Sequence, residues 1–136
     1  MKGSYLILIN LKDKENIQIG KLGKIDFKKG IYVYVGSAFN GLEPRINRHL
    51  RREKKIHWHI DYLLDSAEII NVFYKENSFK EECKISNEFN KKLQSVKKFG
   101  CSDCNCKSHL FYGSYEEIMR VVKKLNMKKY PLNENT

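Results

Sequence analysis

No stretch of this 136-residue chain is apolar for anything near the ~20 residues that a membrane-spanning helix requires, so a membrane role is not expected. A secretory signal is missing too. Leu6-Ile7-Leu8-Ile9 is shorter than a signal-peptide core and no small-residue cleavage site follows it; a core strand explains it better. There is no internal repeat and no linker, and the length allows one domain with one modest core. Acidic residues are in deficit: 16 Asp and Glu face 26 Lys and Arg, leaving +10 and a pI near 9.4. A polyanionic partner follows, because each phosphate neutralised by Lys or Arg releases condensed counterions. Most of the excess is scattered lysine, so charge alone does not decide. What is present, 41% hydrophobic and 12% aromatic residues, excludes the disordered class. Four cysteines without a secretory signal fit reduced thiols or metal ligands rather than disulfides, and a reducing cytoplasm.

The patterning predicts a small mixed sheet with helices, an α+β domain over residues 1–125, with a polar tail fraying from Asn126. Tyr5 to Ile9 is apolar on both faces, as in a central strand. Ile17-Gln18-Ile19 and Ile25-Asp26-Phe27 alternate around Gly20 and Gly23 as a hairpin. In Ile31 to Gly36, Ile31, Val33 and Val35 point one way and Tyr32 and Tyr34 the other. Pro44 suits a first helical position, predicting a helix from Pro44 to about Arg52 with Leu42, Ile46 and Leu50 as its apolar stripe. Further helices are expected over Ile56–Asp65, Ser78–Leu93 and after Ser114, the last two opened by capping boxes with Glu81 and Glu117. Strands are expected over Ile69–Tyr74 and His109–Tyr112.

The densest chemistry lies in Tyr34-Val35-Gly36-Ser37-Ala38 followed by Arg45, Arg48 and His49. A strand ending in small residues beside a helix start lets a phosphate approach the backbone. Arg45 and His49 share a helix face; a guanidinium there can fork onto a phosphate, and an imidazole can relay a proton. The plainer reading is a solvated basic helix, since Arg51, Arg52, Lys54 and Lys55 continue the run.

Gly3-Ser4-Tyr5, Tyr34-Val35-Gly36 and Arg45-x-x-Arg48-His49 together resemble the GIY-YIG nuclease superfamily. The whole chain, including Phe99-Gly100-Cys101-Ser102-Asp103-Cys104 and Ser108-His109-Leu110-Phe111, is similar to its small Uri-type subfamily. Gly30-Ile31-Tyr32 spells the first motif literally, but it would share one strand with Tyr34, whereas the family needs two paired strands. The first half is therefore assigned to Gly3-Ser4-Tyr5, with the Ile17 to Phe27 segment as an insertion.

The resemblance implies an endonuclease hydrolysing phosphodiester bonds, with DNA favoured over RNA and structure-directed cutting over sequence-specific restriction. It also implies one divalent ion, Mg²⁺ or Mn²⁺, on a single glutamate of a later helix. Helical spacing selects Glu82, which falls near the middle of a face formed by Phe79, Cys83, Ser86, Phe89 and Leu93. A carboxylate there is costly unless it meets a metal or a buried Arg or Lys. The implied catalytic set is Tyr5, Tyr34, Arg45, His49 and Glu82. Tyr5 or Tyr34 would be the base, its pKa lowered by Arg45 and His49. Substrate contacts are expected from Gly36, Ser37, Arg48, Arg52, His57 and His59, with Asp61 orienting the His57 ring. Cys101-x-x-Cys104-x-Cys106-x-x-His109 raises a zinc site, to which Cys83 could add if the loop folds over the Glu82 helix; tight loop packing is the default. The rival functions are a non-catalytic nucleic-acid binder and a zinc-stabilised interaction domain.

Overall fold

A computed structural model of the chain describes residues 1–101 and 106–132. In chain order its elements are β1 (Gly3–Leu11), β2 (Glu15–Gln18), a single 3₁₀ turn (Gly20–Leu22), β3 (Lys24–Phe27) and β4 (Gly30–Ala38). Then come α1 (Leu42–Leu50), α2 (His59–Leu64), β5 (Glu68–Glu76) and α3 (Glu82–Asn90). The chain continues through β6 (Gln94–Ser95), β7 (Leu110–Gly113), α4 (Tyr115–Leu125) and β8 (Lys128–Lys129).

The main sheet has the order β6-β7-β4-β1-β5-β8 and every pairing in it is antiparallel. β1 is apolar along most of its length because it is flanked by β4 and β5 and covered on both faces. Tyr5, Ile7, Ile9 and Leu11 look toward α1 and α2, joining Tyr32, Tyr34, Ile46, Ile60 and Leu63 in one core. Leu6 and Leu8 look the other way, joining Val33, Val35, Phe89, Phe111 and Val122 in a second core under α3 and α4. Full burial of side chains such as Ile46 and Phe89 stabilises the fold by about 1.5–3 kcal/mol each relative to exposure. β2 and β3 form a separate two-stranded hairpin. The molecule is thus α+β, with the expected insertion between the two tyrosine-bearing strands. Among the described residues no helix is long and apolar enough to cross a membrane.

Three local expectations need correction. α3 starts at Glu82 rather than after Ser78, because Glu81 stands at the cap position; its carboxylate accepts from the Asn77 amide instead of closing a box on Ser78. Phe79, expected inward, is 64% exposed, and Ile85 takes its place in the core. α2 starts at His59 rather than Ile56, where Asp61 accepts the Trp58 backbone N–H and sets the first turn. The segment after Asn126 does not fray at once. β8 pairs with β5, the Tyr130 N–H donates to the Val72 carbonyl, and the Tyr130 hydroxyl reaches Asn47 on α1. By contrast, the box at Ser114 forms as read, with Glu117 and Ser114 exchanging side-chain and backbone bonds.

Candidate active site

β1 and β4 are in register with Tyr5 opposite Gly36 and Tyr34 opposite Ile7. Two-residue periodicity then puts Tyr5 and Tyr34 on one face, their ring centroids 6.5 Å apart. Gly36 is what allows this, since a Cβ there would collide with the Tyr5 ring lying across it. α1 follows β4 after a short turn and runs from Leu42 to Leu50 rather than from Pro44 to Arg52; Pro44 still falls in its first turn, where a missing N–H is harmless. One face of α1 brings Arg45 and His49 over the tyrosines.

Tyr5, Tyr34, Gly36, Ser37, Arg45 and Glu82 line one cleft of about 660 Å³, with His57, His59, Lys21 and Lys80 also in its wall. The Tyr5 hydroxyl lies 2.7 Å from His49 Nε2, with both side chains nearly fully buried. Arg45 donates to the Ser37 carbonyl at 3.1 Å and packs over the Trp58 ring, 4.5 Å from its centroid. Glu82 is half-buried and, among the described residues, forms no ion pair or hydrogen bond. The expected alternative of a buried Arg or Lys partner for Glu82 is therefore not what these residues provide.

Electrostatics correct one expectation. Burial holds the Tyr5 and Tyr34 hydroxyls well above the ordinary phenol value; Arg45 opposes this without overcoming it. His49 is no cation here: burial pushes it down to about 3, outweighing the pull of Asp61. It faces Tyr5 as a neutral imidazole, a proton acceptor rather than a charge that stabilises phenolate.

Other expected residues have different roles. Arg48 is not in the cleft wall. It grips Asp61 with both terminal nitrogens, at 3.1 and 3.0 Å, and lies over Trp58. Burial alone would raise Asp61, but the Arg48 bonds and the Trp58 and His57 backbone N–H groups outweigh it and hold its carboxyl below the usual range. Asp61 thus braces the backbone of residues 57 and 58 and does not bond the His57 ring. Arg52 is exposed beside Arg51 and Lys54 in a separate hollow. His59 Nδ1 accepts the Gly100 N–H, which leaves Nε2 to carry the proton. Lys21, Lys80 and Tyr62 were not singled out by sequence; the 3₁₀ turn, the approach to α3 and α2 bring them to the cleft, and no local pattern marks such long-range placement.

The thiols also depart from expectation. Cys83 and Cys106 form a disulfide with Cα atoms 5.8 Å apart, because the segment before β7 folds over the first turn of α3. His109 stands with them, a ring nitrogen and the two sulfurs all lying within 4.8 Å of one another. Cys101 is bonded instead to the Phe99 carbonyl, and Cys104 lies outside the described residues.

No curated protein and no solved structure matches the chain significantly. A family model described as a domain of unknown function, DUF123, matches residues 4–130, and the chain belongs to that family.

Proposed function

We propose that this protein is a metal-dependent endonuclease that hydrolyses phosphodiester bonds, acting on branched, flapped or single-stranded DNA. The observation that carries this reading is the convergence on one cleft of Tyr5, Tyr34, Arg45 and a Glu82 carboxylate that has no ion-pair or hydrogen-bond partner among the described residues. A lone carboxylate open to a cleft suits Mg²⁺ or Mn²⁺, which keep several waters and share a phosphate oxygen with few protein ligands. When bound, such an ion supplies charge stabilisation at the phosphate and the leaving oxygen.

The chain's own groups do the rest. Tyr5 accepts the proton of the attacking water at its hydroxyl oxygen while passing its own proton to His49 Nε2 only transiently. His49 then gives it up to solvent back through Tyr5, so no phenolate need exist beforehand and the ring is neutral before and after the step. Arg45, already oriented by the Ser37 carbonyl and the Trp58 ring, faces the non-bridging oxygens as negative charge builds on them. His59 Nε2–H and the ammonium groups of Lys21 and Lys80 hold flanking phosphates. Tyr34 shapes the floor beside Tyr5. The chain has little area beyond this cleft for reading a long sequence, which favours recognition of nucleic-acid structure.

The test is incubation of purified protein with flapped, branched and single-stranded substrates in Mg²⁺ or Mn²⁺. Cleavage is expected, with Glu82→Gln and Arg45→Ala reducing it at least 10²-fold, and with Glu82→Gln still binding substrate in a salt-sensitive manner. Full activity in Glu82→Gln, or salt-sensitive binding by the wild type without any metal-dependent product, would overturn the reading.

A further inference from the structure

A second cluster of ligand-type side chains lies apart from the cleft wall. Cys83 is in the first turn of α3, while Cys106 and His109 belong to the segment that leads into β7. Two sulfurs and a ring nitrogen meet there within 4.8 Å of one another. A disulfide alone gives no reason for a buried imidazole beside it. His109 is 2% exposed, and its Nδ1 lies 2.6 Å from Oγ of the equally buried Ser86. Cys83 and Ser86 are three residues apart, so one face of α3 engages Cys106 and His109 together. A ligating histidine is ordinarily oriented by a hydrogen bond at its other ring nitrogen, the place that the Ser86 hydroxyl takes here.

We propose that Cys83, Cys106 and His109 form a structural zinc site that pins the segment before β7 to the first turn of α3. Thiolate and imidazole are the donors zinc prefers, at ~2.3 Å for sulfur and ~2.0 Å for nitrogen in a tetrahedron. Ligand atoms around such an ion stand roughly 3.3–3.8 Å apart; a ring nitrogen of His109 already lies within 4.8 Å of both sulfurs, and the sulfurs, bonded to each other here, part to that spacing once the disulfide is reduced. Magnesium, which takes oxygen donors, would be rejected, so the site is chemically distinct from that of Glu82. The disulfide is the oxidised form of the same pair. Two equivalents of a monothiol reduce it to two protein thiols and leave as their own disulfide; zinc then displaces both thiol protons to solvent. Water or a further donor fills the fourth position. The site stands whether or not the cleft hydrolyses nucleic acid.

The experiment is reduction of the purified protein with a phosphine, zinc loading with the reductant still present, then desalting and chromogenic zinc determination. About one zinc per chain is expected. Cys83→Ser and His109→Phe should each lower retained zinc at least tenfold, while His109→Cys should keep it. Ser86→Ala should weaken zinc affinity about tenfold or more. Cobalt in place of zinc should show thiolate charge-transfer absorption that Cys106→Ser abolishes. Circular dichroism identifies variants that fail to fold, and the Ser86→Ala and His109→Cys arms keep the test decisive if a cysteine variant does so. Reduced wild-type protein that retains no zinc, or zinc binding unchanged by Cys83→Ser, would overturn the proposal.

Discussion

The Tyr5 hydroxyl meets Nε2 of His49 across 2.7 Å, joining the central strand to the first helix in a site that water barely reaches. Each group needs the other. Without the phenol, His49 would have a second ring nitrogen without a partner, since its Nδ1 has none among the described residues. Tyr5→Phe is therefore expected to cost about 1–3 kcal/mol of stability, from a buried polar atom left unsatisfied. Under the proposed function it should also slow single-turnover cleavage at least 10²-fold with substrate affinity little changed. A Tyr5→Phe protein that cuts at the wild-type rate would move the base to Tyr34.

Arg48 and Asp61 make the opposite kind of pair, structural rather than reactive. The Asp61 side chain is fully buried and its charge is answered by one guanidinium and two backbone N–H groups. Arg48→Ala should destabilise the protein by about 3–5 kcal/mol in urea melts, because it leaves an uncompensated buried carboxylate. Arg48→Lys should recover only part of this, since an ammonium cannot reproduce the two-pronged grip. A loss below ~1 kcal/mol for Arg48→Ala would refute the bracing role.

Acid should destabilise this protein early, and the direction follows from His49 and Asp61. His49 is held at about 3 when folded against about 6.5 unfolded, so between those values the unfolded chain binds the extra proton. Stability conferred by the neutral ring is intact above pH ~6.5 and is lost progressively as pH falls toward 3, at most about 1.4 kcal/mol per pH unit. Asp61 acts in the same direction at lower pH, because its folded carboxyl is also held below its ordinary value. Denaturation midpoints recorded from pH 7.5 down to about 4.5 should fall steadily in wild type and more gently in His49→Gln. Equal slopes for the two proteins would show that His49 is not the titrating group.

Gly36→Ala tests the close approach of the two motif strands. A methyl at that position collides with the Tyr5 ring, and the ring cannot yield without surrendering its contact with His49. Overpacking of this kind costs about 1–3 kcal/mol. The cleavage rate should fall with it, even where the protein remains folded. A fully active and undiminished Gly36→Ala protein would mean that Tyr5 has room to spare.

The regular parts of this architecture were legible because their periodicities are strong. β1 and β4 alternate or run apolar over nine residues each, and α4 pairs a clean apolar face with a cap that forms as written. That Tyr5, Tyr34, Arg45 and Glu82 should share one cleft comes from the family resemblance, with helical spacing serving only to choose Glu82, and all four line one cleft. What escaped the sequence depends on three-dimensional competition. Asp61 is four residues from His57, but the backbone N–H groups and Arg48 are better donors to it than the imidazole. Charge near Tyr5 suggested an acidified phenol, while burial, a property of the packed state, won. Cys83 and Cys106 are 23 residues apart, and only the path of the chain over α3 pairs them.

The sheet ends on both sides in strands of just two residues, β6 at one margin and β8, built from Lys128 and Lys129, at the other. Each of these end strands presents only a two-residue ladder of its own, β8 covering β5 at Phe73 and Tyr74, and the charged ammonium groups of Lys128 and Lys129 discourage a visiting strand there. At the two ends of the main sheet, growth by edge-to-edge stacking is thereby opposed beside Phe73 and Tyr74 and along β6.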